Sequence, residues 1–455
     1  MPLLSINPAT GELIHRFPAT SPTRLDLALT RSATVFREWR ATSLPSRTAL
    51  AGRLAQTLQN ERDTLAALIT SEMGKPITQS RAEIDKCAAA CTYYAAHGEV
   101  LLEPAAIVAS KAPAHVVHEP LGPVLAIMPW NFPFWQVIRA AVPALLAGNT
   151  VLLKHASNVC GCALACEEVL RRAGFPVGAF QPLLIPSSRL STIIRDDRVR
   201  GVTLTGSTEA GRKVAAVAAG VLKPCVLELG GSDPYLILGD ADLDLAAEAC
   251  AEARLLNSGQ SCIAAKRFIV VEAVRAEFER RFVRSMAARQ VGDPLDEATQ
   301  VGPLAREDLR QTLQQQVQES VERGATVLLG GHVLDRSGFY FSATVLTSVA
   351  PGMPAFDDEL FGPAAAIVHA PDEEAAIALA NRSRFGLGAA VFTRDRKRGE
   401  EIARTRLDAG QVFVNTFVRS DPALPFGGMK ESGYGRELGS WGMASFVNVK
   451  TLWVE

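Results

Sequence analysis

The stretch NSGQSCIAAKRF, residues 257–268, sets Cys262 among small residues in a chain that has eight cysteines. A free cysteine usually packs as a small hydrophobe. To act instead as a nucleophile on a carbonyl, it needs a donor for the resulting oxyanion and a base to help release the acyl group. PWNFPFW, residues 129–135, offers Asn131 at a helix start, an amide that donates without titrating. VLELGG, residues 226–231, ends an apolar strand on Glu228, where burial would raise the carboxyl pKa toward that of a useful base. A glutamate at a strand end is more commonly just solvated, so these three residues gain weight only together.

An oxidation at that thiol also needs an electron acceptor. The GxGxxG dinucleotide fingerprint is absent from the first alternating block of the chain. VTLTGSTEAGRKVAA, residues 202–216, has equivalent mechanics. A strand ends at Thr205, Gly206 allows close backbone approach, and Ser207 can cap a helix whose free N–H groups face a phosphate. An ordinary strand-to-helix turn fits that stretch equally well. Lys154 and Ser157 follow another strand at the sheet edge where open α/β sheets bind ligands.

The elements that must position these groups form two alternating series. Amphipathic helices fill the first hundred residues. From GPVLAIMPW to KPCVLELGG, strands alternate with helices, and a second alternation runs from DLDLAAEACAEARLL to AGQVFVN. This pitch predicts βαβ units with parallel sheets, hence an α/β fold of two Rossmann-like domains. The expected division gives residues 1–105 and 120–229 to a dinucleotide-binding domain and 230–421 to a catalytic domain. The join falls at Gly230 and Gly231, read as a hinge. AIVASKAPAHVVHE, residues 106–119, reads as two short strands around a Lys-Ala-Pro turn.

Composition narrows the function classes. With 47 basic and 48 acidic residues among 455, the chain carries no polybasic tract suited to nucleic acid or a membrane surface. NPATGE near the N-terminus reads as a turn rather than part of a signal peptide, so a cytoplasmic location is expected. Cys160, Cys162 and Cys166 run into a helical pattern, and no metal is expected there.

PWNFP, LTGSTEAG, LELGGSDP, NSGQSC, DELFGP and LPFGGMKESGYGRE occur in one order along nearly the whole chain. Together they resemble the aldehyde dehydrogenase superfamily. The resemblance implies that Cys262 forms a thiohemiacetal whose oxyanion meets the Asn131 amide and the Cys262 N–H. Glu228 then activates water against the thioester. It also implies that Glu359 holds the nicotinamide ribose and Phe361 the ring, that Gly206 and Ser207 face the pyrophosphate, and that Lys154 meets the adenine ribose. Trp130 joins this cofactor-binding set. Residues 106–119 and 442–455 would form a small β oligomerisation element, giving a homodimer or homotetramer.

Ser157, small and uncharged beside Lys154, favours NADP, with NAD also admitted. Trp135 and Arg139 share one side of the helix after Asn131, and Arg139 can reach the far end of a short substrate, favouring a carboxylate there. A structural salt bridge is the other reading of Arg139. An arginine at this point and the loop VRSDPALPFGG resemble the succinate-semialdehyde branch, with Ser420 as a second carboxylate contact and Ser261 beside the nucleophile. Where some members carry another arginine this chain has Leu256, which leaves glutarate semialdehyde and neutral aliphatic aldehydes as alternatives. A coenzyme A-acylating enzyme is disfavoured by Glu228, and a non-enzymatic scaffold by the presence of all three catalytic candidates.

Overall fold

The computed structural model describes residues 2–103, 105–108 and 113–454. A six-stranded sheet runs in the order Gly433–Tyr434, Cys225–Glu228, Gly201–Thr205, Pro123–Met128, Thr150–His155, Phe180–Pro182. All its neighbours are parallel except the first pair, in which Gly433 opposes Glu228. A seven-stranded sheet follows the order Thr326–Leu329, Thr344–Thr347, Ala364–Ala370, Ala265–Val271, Asp233–Ile237, Gly388–Phe392, Gln411–Val414. Only its Thr326–Leu329 edge is antiparallel.

Both sheets are covered on both faces, which is why their strands read as apolar runs rather than as alternation. In the second sheet Leu236, Ile269 and Val391 enter one core, while Tyr235, Ile237, Val270 and Phe392 enter the core on the opposite side. In the first, Leu125 and Leu152 face one layer, and Ala126 and Leu153 face the helices of the N-terminal hundred residues.

The chain crosses from one sheet to the other between Glu228 and Asp233. Gly230 and Gly231, where the sequence places the domain join, lie in close approach to neighbouring groups. A Cβ on Gly230 would come 2.6 Å from Glu359 Oε2, and one on Gly231 would come 2.7 Å from the Cys262 carbonyl oxygen. The Cys262 loop and the Glu359 carboxylate therefore pack directly on this crossing.

A third sheet pairs Val447–Trp453 with Pro113–Pro120, and that strand with Ala105–Val108, all antiparallel. Of the expected Lys-Ala-Pro turn, residues 111 and 112 lie outside the described residues. At the N-terminus, the Gly11 N–H donates to the Asn7 carbonyl at 2.7 Å and closes a turn between Leu3–Ile6 and Leu13–Phe17. Among the described residues, no helix is long and apolar enough to cross a membrane.

Candidate active site

Four of the candidate groups follow the carboxyl ends of adjacent strands in the first sheet: Asn131 after Met128, Lys154 near the end of Thr150–His155, Gly206 after Thr205, and Glu228. Cys262 comes from the other domain, in the loop before Ala265–Val271. Asn131, Cys262, Trp130, Gly206, Ser207, Glu359 and Phe361 line one cleft of about 360 Å³, together with Leu229, Gly230 and Arg306.

The Cys262 loop is held by backbone conformation and by amides. Asn257 and Ser258 both have left-handed backbones, at φ 53° and 54°, and Gly259 follows at 75°. Non-glycine residues rarely adopt this region, and they persist there only when their surroundings over-determine them. Here Asn257 Nδ2 donates to the Asn131 carbonyl at 2.7 Å and to the Gln260 carbonyl at 3.0 Å, while Ser258 Oγ accepts from Gly302 N–H at 2.9 Å. Gly259 cannot carry a side chain, because a Cβ would sit 2.2 Å from the Gly362 carbonyl oxygen.

Asn131 Nδ2 donates to the Gln260 carbonyl at 3.0 Å, so the candidate oxyanion donor and the cysteine loop are joined directly by a hydrogen bond. The helix that follows Asn131, Trp135–Leu146, has no side-chain cap of its own at Phe134. Glu83, from the helix Ile77–Leu101, supplies one: its Oε1 accepts from Phe134 N–H at 2.8 Å and Trp135 N–H at 2.9 Å. Its other oxygen pairs with the buried Lys75 ammonium, which lies 3.7 Å from the centre of the Phe132 ring. Neither residue stands out in sequence, because the cap comes from a different helix.

Electrostatics separate the thiol from the carboxyl. Burial pushes the Cys262 thiol up to about 12, against the pull of the Arg139 and Lys266 charges. Lys266 Nζ donates to the Cys262 carbonyl at 2.7 Å and the Ser261 carbonyl at 3.0 Å, and it lies 3.2 Å from Glu359 Oε1. The sequence shows this lysine four residues from Cys262 but not that it turns back onto the loop. Glu228 is 2% exposed, and neither of its carboxyl oxygens has a hydrogen-bond partner among the described residues. Burial raises its pKa well above the usual carboxylate range, Glu437 adds to the rise, and Arg139 and Arg436 oppose it. A buried carboxyl group without a partner is costly for structure alone, and it suits a group that takes up and releases a proton.

The structure places Arg139 in the ion pair that was its other sequence reading. It is 2% exposed, pairs with Glu437, donates to Thr205 Oγ1 at 3.3 Å and lies over the Phe426 ring. Glu437 in turn accepts from Thr203 Oγ1 at 3.2 Å. The partner was invisible in sequence because Glu437 lies in the segment that returns to the first sheet through only two paired residues, Gly433 and Tyr434. Of the remaining substrate candidates, Ser261 is buried within the Cys262 loop, and Trp135 and Ser420 meet around Lys86; none of the three is in the cleft lining.

The other residues fit a dinucleotide. Ser207 caps the helix Thr208–Ala219, accepting from Ala210 N–H at 3.3 Å. The Gly206 Cβ position has only the Leu204 side chain near it, at 3.6 Å, so the space ahead of that helix is open to a phosphate. Lys154 is nearly buried, and burial lowers its pKa. It forms no ion pair among the described residues, and Ser157 near it is exposed and uncharged. An unpaired ammonium at this edge suits an anionic ligand group. Trp130 and Phe361 meet edge to face, 5.7 Å between ring centres, on the cleft wall. Among the described residues, no group of three His, Cys, Asp or Glu side chains is placed to hold a metal ion.

This site and fold are those of a family of thiol-dependent oxidoreductases: the chain matches the aldehyde dehydrogenase family over residues 2–452 and belongs to it. It is 46% identical, over 99% of its length and 97% of the relative's, to the succinate semialdehyde dehydrogenase [NAD(P)+] Sad of Escherichia coli (strain K12). It is likewise 46% identical, over the full length of both chains, to succinate-semialdehyde dehydrogenase [NADP(+)] 1 of Mycobacterium bovis (strain BCG / Pasteur 1173P2). The crystal structure of succinic semialdehyde dehydrogenase from Streptococcus pyogenes in complex with NADP+ superposes with a TM-score of 0.97 at 34% identity, covering 99% of each chain.

Proposed function

We propose that this protein oxidises succinate semialdehyde to succinate, preferring NADP over NAD. The observation that carries the reading is the convergence of Cys262 and Asn131 on one cleft, with the unpaired Glu228 carboxyl at the adjoining strand end, in a chain 46% identical to relatives named for that reaction. The Cys262 thiolate adds to the aldehyde carbon, and the Asn131 amide and Cys262 N–H donate to the oxygen as it gains charge. A dinucleotide bound along Gly206, Ser207, Lys154, Ser157, Glu359 and Phe361 supplies the hydride acceptor. Glu228 takes a proton from the water that attacks the thioester, which frees the acid and restores the thiol. Lys154 beside an uncharged Ser157 supports the NADP preference, since an acidic residue there would repel a 2′-phosphate. We also infer that the protein works as a homo-oligomer in the cytoplasm.

The test is a comparison of kcat/KM for NADP+ and NAD+, each against succinate semialdehyde, glutarate semialdehyde and butanal. The highest value is expected for succinate semialdehyde with NADP+. A higher value for butanal, or a clear preference for NAD+, would overturn the corresponding part of the reading.

A further inference from the structure

Lys266 stands near the start of the strand Ala265–Val271 and is fully buried, at 0% exposure. A buried ammonium is costly unless its donors are used, and it has three of them. Its Nζ donates to the Ser261 carbonyl at 3.0 Å and the Cys262 carbonyl at 2.7 Å, and the third neighbour, at 3.2 Å, is Glu359 Oε1. The two carbonyls belong to the peptide bonds on either side of the Cys262 Cα. The bond between Ser261 and Cys262 is trans, so its carbonyl and its N–H point in opposite directions. Fixing the Ser261 carbonyl on Lys266 therefore also fixes the direction of the Cys262 N–H. Among the described residues no group accepts a hydrogen bond from that N–H, which leaves it open to an oxyanion.

We propose that Lys266 is a positioning residue that aligns two parts of the reaction centre at once: the Cys262 N–H expected to receive the oxyanion and the Glu359 carboxylate expected to hold the nicotinamide ribose. The inference rests on the dinucleotide reading above. Glu359 lines the cleft, and its Oε1 accepts from the Gly231 N–H at 3.1 Å while facing Lys266. One oxygen is thereby anchored, and Oε2, beside Gly230 on the cleft wall, is left to accept from a ribose hydroxyl. Gly231 closes the unit from the other side, since a Cβ there would come 2.7 Å from the Cys262 carbonyl oxygen. The other charged groups nearby are engaged elsewhere. Arg254 donates to the Gly259 carbonyl at 2.6 Å, Asp233 accepts from the Gly388 N–H at 3.1 Å, and Arg139 pairs with Glu437. Among the described cations, Lys266 is the one that bonds the carbonyls flanking Cys262 and also meets Glu359.

The experiment titrates NADP+ and 2′,5′-ADP, which carries a phosphorylated adenosine but no nicotinamide ribose, into wild type, Lys266→Gln, Glu359→Gln and the double variant by calorimetry. The value of kcat is measured beside it for succinate semialdehyde and for butanal. Lys266→Gln keeps an amide donor for the loop carbonyls and removes the charge that faces Glu359. It is expected to weaken NADP+ binding about 10-fold, to leave 2′,5′-ADP binding within about twofold, and to lower kcat for both aldehydes about 10- to 100-fold. In the Glu359→Gln background its effect on NADP+ binding is expected to vanish, a result that general loosening of the loop would not give. Lys266→Met, which keeps the chain length, is read by the same criteria where thermal unfolding shows that Lys266→Gln does not fold. Unchanged NADP+ affinity or kcat, a weakened 2′,5′-ADP complex, or an effect on NADP+ that persists in the Glu359→Gln background overturns the role of Lys266. NADP+ binding to Glu359→Gln as tight as to wild type overturns the reading of Glu359 as the group that holds the ribose, and the role of Lys266 with it.

Discussion

At the scale of single residues, the site opposes its own chemistry at rest. Cys262 must be a thiolate to attack, yet burial holds its thiol near 12 despite Arg139 and Lys266. A raised thiol pKa means that the reactive fraction is small at neutral pH and keeps growing well beyond the free-thiol value of about 8.5. In the dinucleotide-free enzyme, inactivation by iodoacetamide is therefore expected to accelerate close to tenfold per pH unit from about pH 7 to about pH 10. A rate that levels off near pH 8.5 would show that the thiol is not held up by its surroundings. The three residues proposed to react were legible as candidates in sequence because each is an odd residue in a small or apolar stretch: Cys262 among Gly, Ser and Ala, Glu228 ending an apolar strand, Asn131 between prolines. The fate of Arg139 was not, since its neighbours along the helix say nothing about Glu437, Thr205 or Phe426.

At the scale of elements, the site depends on helices capped by their neighbours. Ser21, Ser43, Ser207, Asp242, Asp372 and Asp395 cap their own helices, and that kind of start can be read directly from sequence. The two helices beside the site start differently. Glu83 caps Trp135–Leu146, while Glu72 accepts from Gly161 N–H at 3.0 Å and Cys162 N–H at 2.9 Å at the start of Cys160–Arg172. These caps leave no local signature, so the sequence gives the helices but not what fixes their ends. The consequence for stability is specific. Glu83→Ala removes two hydrogen bonds to the helix start and strands the Lys75 ammonium in the core, which is expected to cost about 3–5 kcal/mol. It should also lower kcat for every aldehyde, because Asn131 directly precedes the unanchored turn. Urea unfolding and kcat on butanal check both parts; a loss under about 1 kcal/mol would mean that Glu83 does not hold this helix.

At the scale of the whole molecule, alternating strands and helices made the two parallel sheets legible, because buried parallel strands leave apolar runs of recognisable length. The return of residues 424–437 to the first sheet was hidden, since a two-residue strand is too short to show a period. The third sheet raises a separate question of balance. Along Val447–Trp453 only Val447 is even partly buried, and Val449, Leu452 and Trp453 are exposed at 62%, 45% and 42%. Among the described residues this strand is also a sheet edge, with its outer hydrogen-bonding groups open. A three-stranded sheet that leaves an apolar edge strand exposed on both faces buries too little to be held by itself and is prone to pair. A second copy of the chain is the partner expected to cover it, in keeping with the homo-oligomer inferred above. Light scattering on the purified protein is expected to give at least twice the 48.7 kDa of one chain. The double substitution Leu452→Asp and Trp453→Asp puts two charges on that strand and is expected to shift the protein toward monomer. A monomeric wild type, or a variant that assembles as fully as wild type, would rule out this strand as the interface.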